Sequence, residues 1–198
     1  MTECHCGCEE EGGCEDCSRT NLSEVCVGSE RIYDGRILRL RRDSVKFPDG
    51  RIGHREVVEH DPAVVIIAEN EDEELLLIEQ FRYPVMEAIL EFPAGIVERG
   101  EEYEEAAVRE LQEETGWKPG RQELVTEVFS SPGFTTELFV IYYATGLTRS
   151  KLPQDEDEFI VPRFCSRAEV ERLLEDGAIV DGKTLLGLYW WLRKKDAR

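Results

Sequence analysis

The segment "GIVERGEEYEEAAVRELQEETGW", residues 95–117, carries eight glutamates in 23 residues. Glutamates stacked four apart on a helix repel one another, by roughly 0.2–0.5 kcal/mol per pair. A stretch like this is a stable helix only if something offsets the charge. Its ends nevertheless fit a helix over 101–115. Glutamates fill the first turn, where the macrodipole favours anions, and Gly116 stands where a C′ glycine belongs. Ala107, Val108 and Leu111 supply the apolar stripe that would face a core.

At about 100° per residue, Glu110 and Glu114 lie about 40° apart, one turn above each other. Glu113 falls about 60° to the other side of Glu110. Three carboxylates thus share one edge of a helix anchored by its opposite edge. Hard oxygen donors of this kind suit Mg²⁺ or Mn²⁺ and not zinc. Arg109, one turn from Glu113, can orient that side chain and offset repulsion. Composition alone would be satisfied by a solvated acidic face. The spacing argues for a cation.

The rest of the chain reads as strands around this helix. "GRILRLRRDSVKF" and "RIGHREVVEH" flank the turn "PDG", which predicts a hairpin. "AVVIIAE" and "ELLLIEQ" are buried-strand candidates on either side of the polar turn "NEDE". "ELVTEVF" and "ELFVIYYAT" follow the acidic helix, joined by "SSPGFTT", and "FIVPRF" follows the run "DEDE" at 155–158. Ser166 and Glu169 form an S-x-x-E capping box for a helix ending near Gly177, and a last helix is expected over 184–195. The fold class is therefore α/β (α+β), a mixed β-sheet sandwiched between helices, with an N-terminal β-hairpin region.

Bulk properties narrow the class of partner. At 198 residues the chain suits one domain, and a net charge of -19 argues against a nucleic-acid-binding face. No apolar run approaches the ~20 residues that span a bilayer, so no membrane partner is expected. The first residues lack a basic patch followed by an apolar stretch, so a cytoplasmic location is expected.

Six of the seven cysteines, Cys4, Cys6, Cys8, Cys14, Cys17 and Cys26, lie in the first 26 residues. Residues 1–28 read as a Cys-rich extension, disordered or metal-binding, ahead of a domain over 29–198. Cys14 and Cys17 make a chelating pair, so Zn²⁺ held among Cys4, Cys6, Cys8, Cys14 and Cys17 is one reading and a redox-sensitive tail the other. Cys165 reads as a small buried residue.

The acidic segment matches the pattern G-x5-E-x7-R-E-U-x-E-E-x-G-U at every fixed position, where U is a bulky apolar residue: Gly95, Glu101, Arg109, Glu110, Leu111, Glu113, Glu114, Gly116 and Trp117. This is the Nudix box. After residue 30 the chain resembles the ADP-ribose pyrophosphatase subfamily, through "LIEQFRYPV", "LEFPAGIVE", "SSPGFTTE", "DEDE" and "GAIVDGKTL". Pro132, 16 residues beyond Gly116, is the sharpest mark of that group.

The resemblance implies a Nudix fold and Mg²⁺-dependent hydrolysis of ADP-ribose to AMP and ribose 5-phosphate. Cations would neutralise the pyrophosphate and acidify a bound water. Glu110, Glu113 and Glu114 would hold the metal, with the Ala94 carbonyl as a further oxygen. Glu137, on the loop bearing Pro132, is the implied general base, with Glu113 as the competing assignment and Arg109 supporting the helix. Arg55 and Arg82 would grip the phosphates and terminal ribose, Glu91 would support substrate or metal, and Arg36 and Ile37 would border the base.

Family members typically form homodimers that exchange N-terminal strands. Other readings are another nucleotide sugar such as GDP-mannose, a dinucleotide, or a non-catalytic sensor of ADP-ribose or NAD. The intact box speaks against the sensor. The cysteine spacing departs from the paired CxxC ribbon of NADH-type Nudix hydrolases, and the downstream tract of that group is missing.

Overall fold

The computed structural model describes residues 21–154 and 159–197. Cys4, Cys6, Cys8, Cys14 and Cys17, read as zinc ligands, lie outside the described residues, as does the "DEDE" run. Strands β1 (Val25–Asp34), β2 (Leu38–Lys46) and β3 (Ile52–His60) form an antiparallel sheet in that order. The turn between β2 and β3 needs Gly50 at φ 88°, where its N–H reaches the Phe47 carbonyl at 2.9 Å. Strand β1 was not foreseen. The compositional boundary after residue 28 falls inside it, so the strand begins among cysteine-zone residues such as Cys26.

Charge knits this small sheet together. Arg41 bonds Asp43 at 2.9 Å and also meets Glu59, which is shared with Arg31. Val45 is buried, but many of the sheet's apolar side chains remain in solvent: Val25, Val27, Ile32, Tyr33, Leu38 and Ile52 are between 38% and 60% exposed.

The larger sheet holds the core. Its strands are β4 (Ala63–Glu69), β5 (Leu75–Arg82), β6 (Glu87–Glu91) and β7 (Ala94–Ile96), then, after helix α1 (Tyr103–Thr115) and the short β8 (Trp117–Lys118), β9 (Arg121–Phe129) and β10 (Leu138–Thr145). The chain ends with β11 (Thr148–Arg149), which pairs with β8, then β12 (Ile160–Cys165), α2 (Arg167–Glu175) and α3 (Gly182–Asp196). The order is β12-β5-β4-β10-β9, with β6 on β5 and β7 on β4. Strand β10 runs parallel to β4 and antiparallel to β9, so the sheet is mixed as expected.

Every residue of β4 is buried, because both of its faces are covered. Val64, Ile66 and Ala68 pack with Ala106, Ala107 and Leu111 of α1. Val65 and Ile67, pointing the other way, pack with Leu188 and Trp191 of α3. Cys165 is fully buried in that second cluster, and burial pushes its thiol pKa up.

Two helix details depart from the sequence reading. The buried stripe of α1 is Ala106, Ala107 and Leu111, while Val108 is only partly buried beside a shallow groove with Glu104 and Leu152. Ser166 is the N-cap of α2, yet its side chain makes no capping bond, so the expected capping box does not form. The cap of α3 does form, with Asp181 accepting from the Thr184 N–H at 2.9 Å. Among the described residues no helix is long and apolar enough to cross a membrane.

Candidate active site

The acidic edge is built where β7 runs beside α1. Gly116 ends the helix in the left-handed conformation, φ 73°, and its N–H bonds the Gln112 carbonyl at 3.0 Å. Glu101 stands before the helix. It takes Arg109 as a bidentate partner, at 2.8 and 2.9 Å. The same guanidinium bonds Glu110 at 2.7 Å, Glu113 at 3.0 Å and the Ile96 carbonyl at 3.1 Å. Arg109 therefore holds its charge well above the ordinary arginine range, chiefly through Glu101, with burial opposing and Glu110 and Glu113 adding. Reciprocally, Arg109 holds the Glu101 carboxyl below the usual glutamate value.

Gly95 explains its own place in the pattern. A Cβ there would lie 2.0 Å from the Glu110 carboxyl carbon and 2.2 Å from each of its oxygens. The Glu110 carboxylate occupies the space a side chain would need. One turn on, the buried Glu114 accepts the Ala94 N–H at 3.0 Å. Two successive residues of β7 thus seat two carboxylates of α1.

Glu110, Glu113 and Glu114 share one edge as the spacing predicted, but they do not converge on a single point. Among the described residues no three His, Cys, Asp or Glu side chains form a metal-holding group. The reason is local competition: Arg109 draws Glu110 and Glu113, and the Ala94 amide takes Glu114. The donor chemistry fits a hard divalent ion, which would have to displace those bonds.

Beside this edge stands a second charged group. Arg82 bonds Glu91 through two nitrogens, at 2.6 and 3.0 Å. Glu91 is 1% exposed and also receives Lys183, which sits 3.0 Å from Asp181. Burial opposes the Arg82 charge, but its bonds to Glu91 outweigh that and hold its pKa above normal, with Glu114 and Asp181 contributing. Arg82 is thereby within electrostatic reach of Glu114 on the acidic helix. Lys183 was missed. Its signal lies in "GAIVDGKTL", a landmark of the subfamily resemblance that by itself gives Lys183 no role.

Glu137 directly precedes β10. Its N–H bonds the Thr135 hydroxyl at 3.2 Å, and its carboxylate lies 3.7 Å from His60 Nδ1. Arg55 belongs to the small sheet, where it bonds Glu24 and the His54 carbonyl and lies over the Phe47 ring. Arg36 and Ile37 sit in the turn between β1 and β2, both exposed. The structure thus gathers Arg82 and Glu91 near the acidic edge, pairs Arg55 within the small sheet, and leaves Arg36 and Ile37 exposed in that sheet's β1–β2 turn.

Comparison with known proteins agrees with this division. Residues 59–187 match the NUDIX domain, and residues 24–58 match the nucleoside diphosphate sugar hydrolase N-terminal domain. An ADP-ribose pyrophosphatase of Bacillus subtilis is 34% identical over 179 residues, covering 89% of this chain and 96% of that protein. A methanol dehydrogenase activator of Bacillus methanolicus is 34% identical over 171 residues, 85% of this chain and 92% of its own. A crystal structure of an ADP compounds hydrolase superposes with a TM-score of 0.80 at 23% identity, covering 89% of this chain and 96% of that one.

Proposed function

The chain belongs to the Nudix family, and from that membership we propose that it hydrolyses the pyrophosphate bond of a nucleoside diphosphate sugar, with ADP-ribose as substrate and AMP and ribose 5-phosphate as products. The observation that carries this reading is the seating of Glu110 against Gly95 and of Glu114 on the Ala94 amide, beside Arg82. The similarity to the Bacillus subtilis ADP-ribose pyrophosphatase supports the substrate.

Glu110, Glu113, Glu114 and the Ala94 carbonyl would hold Mg²⁺, or Mn²⁺ in its place. Such an ion, when bound, neutralises pyrophosphate charge and acidifies water. The chain's own groups do the rest. Arg109 orients Glu110 and Glu113. Arg82, held by Glu91, offers a planar donor to a phosphate. Glu137 accepts a proton from the attacking water.

The proposal extends to a homodimer. The exposed apolar residues of the small sheet, Val25, Val27, Ile32 and Tyr33 among them, are a surface suited to a second copy. Such a pairing accounts for substrate roles for Arg55, Arg36 and Ile37, which lie on that sheet. A cytoplasmic setting belongs to the same proposal.

The decisive experiment incubates purified protein with ADP-ribose and Mg²⁺ and follows AMP. Wild type should release AMP, and Glu114→Gln should lose at least about 100-fold in kcat while keeping its fold. Equal release by both would refute the assignment. The similarity to the methanol dehydrogenase activator favours a second reading, in which turnover modulates a partner enzyme. That reading requires stimulation of a dehydrogenase on mixing.

A further inference from the structure

The loop that bears Glu137 is fastened to the free edge of β3. The Val58 N–H bonds the Phe134 carbonyl at 2.8 Å, and the Thr136 N–H bonds the Val58 carbonyl at 3.0 Å. Val58 and Thr135 form a parallel bridge. The Thr136 hydroxyl accepts the His60 N–H at 3.0 Å and donates to the His60 carbonyl at 3.2 Å, so both of its roles are used on one residue. On the other side of β3 lies β2, so this edge is the one that the small sheet leaves unpaired.

The His60 side chain turns to the same loop. Its Nδ1 lies 2.6 Å from the Asp61 carbonyl, a contact that requires the proton on Nδ1. With that N–H engaged, the ring is held in one orientation, and its Nδ1 edge faces a Glu137 oxygen at 3.7 Å. This is an electrostatic contact and not a second hydrogen bond. Both side chains are mostly buried, at 15% and 25% exposure, so solvent screens the contact less than at the surface.

We propose that His60 and Thr136 form a clasp that positions the Glu137 carboxylate for proton abstraction, making both positioning residues of the reaction. The inference rests on the reading of Glu137 as general base. The physical reason is economy of motion. A carboxylate on an eight-residue connection between β9 and β10, residues 130–137, would sample many placements if the connection were free. Two backbone bonds, one hydroxyl and one imidazole edge reduce those placements. Misplacing a catalytic group by about 1 Å costs on the order of 100-fold in rate.

The test measures kcat and KM for ADP-ribose with Mg²⁺ in Glu137→Gln, His60→Leu, His60→Asn and Thr136→Val. An asparagine amide at this position would keep an N–H donor for the Asp61 carbonyl, so His60→Asn is the conservative rescue. The expected result is a kcat loss of about 10- to 100-fold in His60→Leu and Thr136→Val, with KM within about twofold. His60→Asn should recover most of kcat, and His60→Leu should add little to the defect of Glu137→Gln, because both act through one carboxylate.

Should His60→Leu fail to fold, Thr136→Val alone decides. Wild-type kcat in folded Thr136→Val and His60→Leu, alongside a crippled Glu137→Gln, would overturn the clasp and leave the base assignment standing. Full activity in Glu137→Gln would remove the base reading and the clasp together.

Discussion

Replacing Gly95 with alanine separates the chemistry of the acidic edge from its stability. The added Cβ would lie 2.0 Å from the Glu110 carboxyl carbon and 2.2 Å from its oxygens, where ordinary contact begins at 3.4 Å, so the carboxylate must retreat by more than an ångström. Gly95 is not among the glycines with positive φ, so its backbone accommodates alanine without strain. The atoms displaced are the far end of a flexible side chain. The stability cost is then the loss of the Arg109–Glu110 pair, while Arg109 keeps Glu101 and Glu113. For a mostly buried charged hydrogen bond whose arginine keeps two other carboxylates that is roughly 1–2 kcal/mol, or a melting shift of about 2–8 °C for a domain of this size.

Catalysis should suffer far more. A shift of about 1 Å in a ligand or catalytic group costs on the order of 100-fold, equivalent to about 2.7 kcal/mol of barrier. The assay is AMP release from ADP-ribose at saturating Mg²⁺, run beside a thermal melt on the same preparation. A Gly95→Ala protein with kcat/KM within about threefold of wild type would refute the seating argument. A melting loss above about 10 °C would refute the claim that only a side-chain end moves.

Two further outcomes follow from the charged interior. Glu101 has its carboxyl depressed in the folded state by Arg109, so its stabilisation is complete above the unfolded value near ~4.3 and is lost as pH falls through the lower folded value. Urea midpoints between about pH 5 and pH 3 should therefore fall less steeply in Arg109→Gln than in wild type, and parallel curves would contradict this. Lys195 meets Glu69 at 2.8 Å with both side chains below 10% exposure, at 8% and 7%. Lys195→Met should cost about 3 kcal/mol in urea denaturation, with Trp191 still donating to Glu69, and adding Glu69→Gln should restore at least half. A cost under about 1 kcal/mol would show the pair to be dispensable.

How much was legible in the chain differs from element to element. The apolar run of β4 announced a buried strand, and the structure covers its two faces with α1 and α3. The acidic helix, its closing Gly116 and its shared carboxylate edge were readable because a helix period is a local property. The stripe was misjudged by one position, Val108 for Ala106, because both lie near the boundary of the buried face and only packing chooses between them. Strand β1 went unseen because its residues are exposed throughout and carry no buried alternation. Ser166 marked a helix start correctly, yet whether its hydroxyl caps the helix is a rotamer outcome that spacing does not encode.

By itself the sequence determined the reaction class and the shared helical edge of three carboxylates, since nine specified positions in 23 residues constrain one strand-to-helix unit of short range. Only the tertiary structure decided who holds those carboxylates. Glu101 and Ile96 reach Arg109 across a loop, Lys183 reaches Glu91 from 92 residues away, and Thr136 reaches His60 across 76. Periodicity carries information over a turn or two of chain, whereas these partners are set by how the sheets and helices close on one another.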